Sequence, residues 1–252
     1  MEVHKHPHHV THPKKWGEYL LEFFMLFLAV FLGFLAENIR ENFVENERAF
    51  DYAQSLYDDL KVDTAIIQRT YAEKEWIQPK YDSAETILLS ADFKKNNELI
   101  YYAERYINLN DVFTSQDVTY QQLKSSGNFR YIKNIALYKS IADYYNLYSR
   151  YQYIDGNFGT ANTEMSEIES KLFNLKDLTS LNNHNGKSFY NLISRPNKKL
   201  SPLINDKQSL NILYLKFDNA KNRVVAAKIF LLWLKSQAIN LLSELKSEYH
   251  LK

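Results

Sequence analysis

From Phe23 to Ala36 the chain reads FFMLFLAVFLGFLA, fourteen apolar residues in a row. Extending back to Tyr19 gives eighteen residues broken only by Glu22. As a helix this stretch is roughly 27 Å long, near the lower limit for a bilayer core. Leu, Phe and Met occupy every face, so no polar stripe remains for a membrane-surface helix or for a core helix with one wet side. A basic pair, Lys14 and Lys15, precedes the run, as in a signal peptide, but no small-x-small cleavage site closes it. The pattern therefore predicts a retained transmembrane helix over residues 16–36. Trp16 and Tyr19 stand at its boundary, and the Glu22 carboxylate is close enough to the end to reach headgroups or water.

No proline or glycine follows until Pro79. Ile39, Phe43, Asn46, Phe50, Ala53, Tyr57, Leu60, Thr64 and Ile67 recur at spacings of four and three, one face of a helix or a coiled-coil seam. The membrane helix is expected to continue as a stalk over about 37–78, with Pro79 the first residue able to end or kink it. Shorter apolar series predict helices over Asn97–Ile107, over Ser115–Leu123 with Ser115 as its cap, and over Tyr131–Tyr153. Another begins near Asn162 or Thr163. Residues 180–206 are rich in Asn, Ser, Pro and Lys and read as a polar connection, with a short helix around Phe189–Ile193. The strongest pattern is the last. Leu210, Leu213, Phe217, Ala220, Val224, Ala227, Leu231, Leu234, Ala238, Leu241 and Leu245 alternate by three and four in a helix of about 207–248. Its further apolar stretch at Ile229–Leu234 points to full burial or to a partner subunit. The expected fold is all-α: an N-terminal transmembrane helix continuing into a long stalk, with an antiparallel helical bundle.

Composition narrows the chemistry. The chain of 252 residues has no cysteine, which excludes disulfides, thiol catalysis and cysteine-ligated metals. Lys and Arg number 31 against 30 Asp and Glu, so there is no basic footprint for nucleic acid. Gly and Pro are scarce, as long helices require. The 19 tyrosines are expected on half-buried helix faces. Charge also gives an orientation. Lys5, Lys14 and Lys15 precede the apolar run, whereas Glu37, Arg40, Glu41, Glu45, Glu47, Arg48 and Asp51 follow it. Lysine and arginine favour the cytoplasmic side. That places the N-terminus in the cytoplasm and residues 37–252 across the inner membrane, in the periplasm.

Residues 1–15 form a histidine-rich head with His4, His6, His8, His9 and His12. Neutral imidazoles are transition-metal ligands, but Pro7 and Pro13 oppose a fixed geometry. A flexible tail without a dedicated ligand is the first reading. Contact with anionic headgroups as the histidines protonate, and a weak metal site, are the others. No cofactor is expected.

The most distinctive internal text is Gln121-Gln122-Leu123-Lys124-Ser125-Ser126-Gly127-Asn128-Phe129, followed by Arg130, Ile132 and Ala142-Asp143-Tyr144-Tyr145. Gly127 permits a left-handed helix end, Asn128 can bond its own backbone, and Ser125 or Ser126 can cap the break or the next helix. Ser125, Ser126, Gly127 and Asn128 thus read as a structural elbow, with a small anion-binding corner including Arg130 as the alternative. Together with HPHHVTHPKKWGEYLLEFFMLFLAVFLGFLAENIRE, these residues resemble a family of single-pass membrane proteins of unknown function from Bacteroidetes-type bacteria. The matching marks are His6, His8, His9, His12, Trp16, Glu18, Tyr19, Glu22, Gly33, Glu37, Asn38 and Arg40, then the LKSSGN element and Asp143-Tyr144-Tyr145. The resemblance is strong over the first ~65 residues and moderate over about 115–150. It implies a membrane anchor and a helical extracytoplasmic domain, and it brings no reaction or catalytic residue.

Three functional classes remain. The leading one is a structural or interaction protein of the cell envelope, whose partners are the lipid bilayer and either a second copy or another envelope protein. The second is a sensor accessory that passes a signal along the stalk. The third is an enzyme, for which Glu37 with Glu41 and Asp58 with Asp59 are the nearest carboxylate pairs. Those read as solvated faces. No Glu-x-x-His motif is present, since neither His184 nor His250 has a glutamate three residues before it.

Overall fold

The computed structural model describes residues 15–90, 93–107, 109, 111–155 and 162–251. The histidine head, His4 to His12, lies outside them. By internal contact the chain falls into two units, 1–51 and 52–252. Among the described residues every regular element is a helix: α1 Trp16–Leu89, α2 Glu98–Ile107, α3 Val118–Ser126, α4 Ile135–Asp155, α5 Asn162–Leu172, α6 Leu175–Ser180 and α7 Lys207–Tyr249. Short 3-10 turns cover Asn128–Tyr131 and Phe189–Asn191, and one isolated bridge pairs Asn182 with Ile193.

In the first unit the described residues are the start of α1. From Trp16 to Leu35 its large apolar side chains are all exposed. Two helices, α1 and α7, are long and apolar enough to cross a membrane, but they differ in burial. None of the apolar window in α1 is covered, while 39% of that in α7 is buried.

The second unit is a bundle built on α1 from residue 52, α4 and α7. Lys221 pairs with Glu85, Lys228 with Gln78 and Lys235 with Gln68, so α7 runs antiparallel to α1. Tyr144 meets Asp63 and Asp155 meets Lys74 at one constant offset, so α4 runs parallel to α1. The stripe read in α7 is the buried one, from Leu213 through Phe217, Ala220, Val224, Ala227, Leu231, Leu234, Ala238 and Leu241 to Leu245. Fully burying each large apolar member contributes roughly 1.5–3 kcal/mol, which is what fixes α7 in the bundle.

α1 departs from its sequence reading in two ways. First, its buried face is Ala49, Ala53, Leu56, Leu60, Asp63, Ile67, Thr70, Lys74, Ile77, Tyr81 and Ala84. Ala53, Leu60 and Ile67 belong to the expected seam, but Ile39, Phe43 and Phe50 are exposed, and three members of the true face are polar. Second, the helix does not end at Pro79 but continues to Leu89. A mid-helix proline removes one backbone donor and crowds the preceding turn. Ile77, Tyr81 and Ala84 are buried on both sides of it, and the Lys80 ammonium donates to the nearby Trp76 carbonyl at 2.6 Å. Packing on both sides of the proline holds the helix through the break.

The shorter elements also shift. α3 begins at Val118, because the Ser115 hydroxyl donates to the Asp63 carboxylate and does not cap the helix. Asn134 caps α4 through the amides of Ala136 and Leu137. The polar text of 180–206 is docked to the body by Leu181, Ile193, Leu200 and Leu203, all buried. Tyr101, Tyr106, Tyr144 and Tyr151 are fully buried, where half-buried faces were expected. Their oxygens, or their backbones, tie helices together: Tyr81 donates to the Tyr106 carbonyl at 2.9 Å, and the Asn174 amide donates to the Tyr101 oxygen at 2.9 Å.

Candidate functional site

Two apolar clusters make up the core of the bundle. One gathers around Ile77, Tyr101, Tyr106 and Phe217, the other around Leu60, Phe113, Tyr144 and Leu234. Where α1 passes from one cluster to the other, it carries Thr70, Glu73 and Lys74, all buried. The Lys74 ammonium lies 3.0 Å from the Asp155 carboxylate, with the two side chains 4% and 0% exposed. Tyr151 donates to the same carboxylate at 2.7 Å and accepts from the Phe113 amide at 3.0 Å. Burial lowers the Lys74 pKa more than Asp155 raises it, with Arg223 adding to the depression. Burial likewise lowers the Arg223 pKa.

Glu73 faces Asp111, and Arg69 bridges them at 3.9 Å from Glu73 and 3.4 Å from Asp111. Burial, then the neighbouring Asp111, pushes the Glu73 carboxyl up to about 7. One Glu73 oxygen has no hydrogen-bond partner. The space among Glu73, Lys74, Asp111 and Arg223 is only about 10 Å³, room for one water and not for a substrate. What this arrangement can do is bind and release a proton near neutral pH. Because the folded-state pKa is raised above the unfolded value of 4.5, the folded chain holds the extra proton between the two. Stability contributed by Glu73 is therefore full below about pH 4.5 and is lost as pH rises through about 7. Glu73→Gln should flatten this slope by roughly 1–3 kcal/mol, the upper part of that range being trimmed by the exposed Arg69. Denaturation midpoints at pH 5 and pH 8 check it. An unchanged difference between the two pH values would count against the assignment.

A second polar knot lies one cluster away. Asp63 is fully buried and accepts from the Ser115 hydroxyl, from the Gln116 amide at 2.7 Å and from the Tyr144 hydroxyl at 2.7 Å. Burial outweighs these three donors and raises its pKa. A third is Glu104, also fully buried, whose pKa is raised well above the usual range by burial and by the facing Glu169. Among the described residues no group of three or more His, Asp or Glu side chains converges in a metal-binding arrangement. None of these polar knots was singled out in the sequence. The available signal was an interruption of the four-three repeat by polar residues that keep its phase.

Of the residues that were singled out, Ser115 and Tyr144 belong to the Asp63 knot, and the others lie elsewhere. Trp16 is the first residue of α1, and Trp16, Tyr19 and Glu22 are all exposed. Gly127 ends α3 at φ +70°, with its amide bonded to the Leu123 carbonyl. The hydroxyls of Ser125 and Ser126 both turn back to the Gln122 carbonyl, at 3.3 and 2.6 Å, and cap no following helix. Asn128 does not bond its own backbone; it donates to the Tyr52 hydroxyl on α1 at 2.7 Å. Arg130 lies on the Tyr131 ring, 5.0 Å from its centroid, and donates to its hydroxyl. These groups do not converge on a common point, which weighs against the anion corner. A Cβ at Gly127 meets nothing within 4 Å, so a side chain fits and the cost of one is conformational. Gly127→Ala should cost about 1 kcal/mol for the left-handed backbone. Ser126→Ala should cost nearly nothing, since its hydroxyl makes only an exposed local bond. Chemical denaturation of the two variants should separate them, and equal midpoints would contradict the assignment.

No protein-family model, curated protein or solved structure matches this chain.

Proposed function

We propose that this chain is a single-pass inner-membrane protein whose N-terminal helix segment, residues 19–36, anchors a helical periplasmic body. Its role is structural or interactive. The observation that carries the reading is the apolar start of α1, where Phe23, Phe24, Met25, Leu26, Val30 and Phe34 are each at least 60% exposed. Water solvates such a surface poorly, and a bilayer removes the penalty at roughly 25 cal/mol per Å². The basic pair Lys14-Lys15 before it and the acidic opening from Glu37 after it support the stated orientation. The resemblance to Bacteroidetes-type single-pass proteins leads to the same topology. Val225, Ile229, Leu232 and Ile239 form an exposed apolar stripe on α7, which supports self-association or docking to another envelope protein.

A second reading rests on one observation: α1 runs without a break from the apolar segment to the buried charges at Glu73 and Lys74. That continuity suits a sensor accessory in which protonation within the body and events at the membrane share one helix. We assign no reaction to the chain. Protease added to intact spheroplasts tests the proposed topology. Loss of the body and survival of a membrane-protected N-terminal fragment are expected. Full protection of the body, with degradation only after lysis, would reverse the orientation.

A further inference from the structure

A cleft of about 410 Å³ opens beside Pro79, between α1, the start of α2 and the connection that leads to α7. Two cations line it, Lys80 from α1 and Arg195 from the connection, against one carboxylate, Glu98. The Lys80 ammonium donates to the Trp76 carbonyl and lies 3.3 Å from the centroid of the Trp76 ring. Neither it nor Arg195 forms an ion pair with a carboxylate among the described residues. Two unneutralised cations sharing a cleft repel each other, and an anion between them relieves that repulsion. The remaining lining is Pro79, Pro196, Leu99 and the buried Tyr102, with one further polar residue, Ser83, whose hydroxyl donates to the Pro79 carbonyl. The volume is within the range of small-molecule sites, and the pairing of apolar walls with a few charged groups is their usual construction.

We propose that this cleft binds a small soluble organic anion, a phosphate monoester or carboxylate with a flat apolar body. Its charged end sits between Lys80 and Arg195, and its body lies over Leu99 and Tyr102. Burial, and then Arg195, lower the Lys80 pKa to about 8, the response expected of an ammonium facing another cation without a counterion. Pro79 contributes an apolar wall of the cleft, and the Lys80 ammonium is held beside it by the Trp76 carbonyl. The proposal is independent of the membrane topology.

The test uses the full chain in neutral-detergent micelles with Trp16→Phe and Trp233→Phe, which leaves Trp76 as the sole tryptophan reporter. Phenyl phosphate and inorganic phosphate are titrated separately at pH 7 while tryptophan emission is followed. Saturable quenching or enhancement by phenyl phosphate is expected, with Kd of about 1 mM or lower. Inorganic phosphate should bind about tenfold more weakly, because it lacks the apolar body. Lys80→Gln and Arg195→Gln should each weaken phenyl phosphate by about tenfold or more, the loss of one charge-assisted contact. Arg195 is exposed, so Arg195→Gln keeps the fold even if Lys80→Gln does not. No saturable signal, equal affinity in Arg195→Gln, or a response only when phosphatidylglycerol is added to the micelles would overturn the proposal. The last outcome would assign the cations to a lipid headgroup.

Discussion

Replacing Lys74 with Met should destabilise the body by about 3–5 kcal/mol, because it takes the nearest ammonium away from the buried Asp155 carboxylate. The pair lies 3.0 Å apart in nearly complete burial, so bulk water does not screen the charge left behind. Tyr151 still donates to Asp155, which moderates the cost without cancelling a full charge. The double variant Lys74→Met with Asp155→Leu should recover most of the loss, since neither charge then needs desolvation. Guanidinium denaturation of the four corners of this cycle reads the coupling directly. If the single variant lost less than about 1 kcal/mol, the ion pair would not hold α1 to α4 as described.

The second large effect is at Asp63. Asp63→Ala removes the common acceptor of Ser115, Gln116 and Tyr144, two of them side-chain hydroxyls and one a backbone amide. Each buried donor left without a partner costs roughly 1–3 kcal/mol, and the deleted side chain leaves a small void. A loss of about 3–5 kcal/mol is expected, a large fraction of the stability of an ordinary domain. Asp63→Asn should fall between wild type and alanine, because the amide keeps one acceptor but turns its NH2 toward a donor. Tyr144→Phe should cost about 1 kcal/mol or more, since it unmakes only one of the three bonds. The denaturation midpoints should follow the order wild type, Tyr144→Phe, Asp63→Asn, Asp63→Ala. An Asp63→Ala midpoint equal to that of Tyr144→Phe would show that the other two donors find water.

These two sites also mark where the sequence stopped being legible. The α7 stripe could be read residue by residue because every member from Leu213 to Leu245 is apolar. On α1 the same four-three rule found Ala53, Leu60 and Ile67 on the buried face but alternated them with Phe50, Tyr57 and Thr64 from beside it. The true face passes through Asp63, Thr70 and Lys74. A reading that rewards apolar residues avoids those positions. The burial of Asp63 and Lys74 is compensated by Asp155, Tyr144 and Ser115, partners distant in sequence, while the Thr70 hydroxyl is buried without a hydrogen-bond partner. Pro79 misled for a related reason, since local propensity was overridden by Ile77, Tyr81 and Ala84 packed on both sides of it. At the elbow, Gly127 could be placed because a left-handed helix end has few alternatives to glycine. The partner of Asn128, Tyr52, could not be, because nothing local points to it. The cleft beside Lys80 was likewise hidden, being assembled from residues of three separate elements.

We propose that residues 19–36 are a retained membrane anchor, and alkaline extraction tests it. Cells expressing the full chain are lysed, and the membranes are washed at alkaline pH in sodium carbonate, which strips peripheral proteins and leaves spanning helices in place. The pellet is solubilised, and the chain's N-terminus is sequenced. The chain is expected to stay in the pellet and to retain the apolar run, and replacing Leu26, Phe27 and Leu28 by three lysines should release it to the supernatant. A wild-type chain found in the carbonate supernatant, or one whose mature N-terminus lies near Glu37, would contradict it.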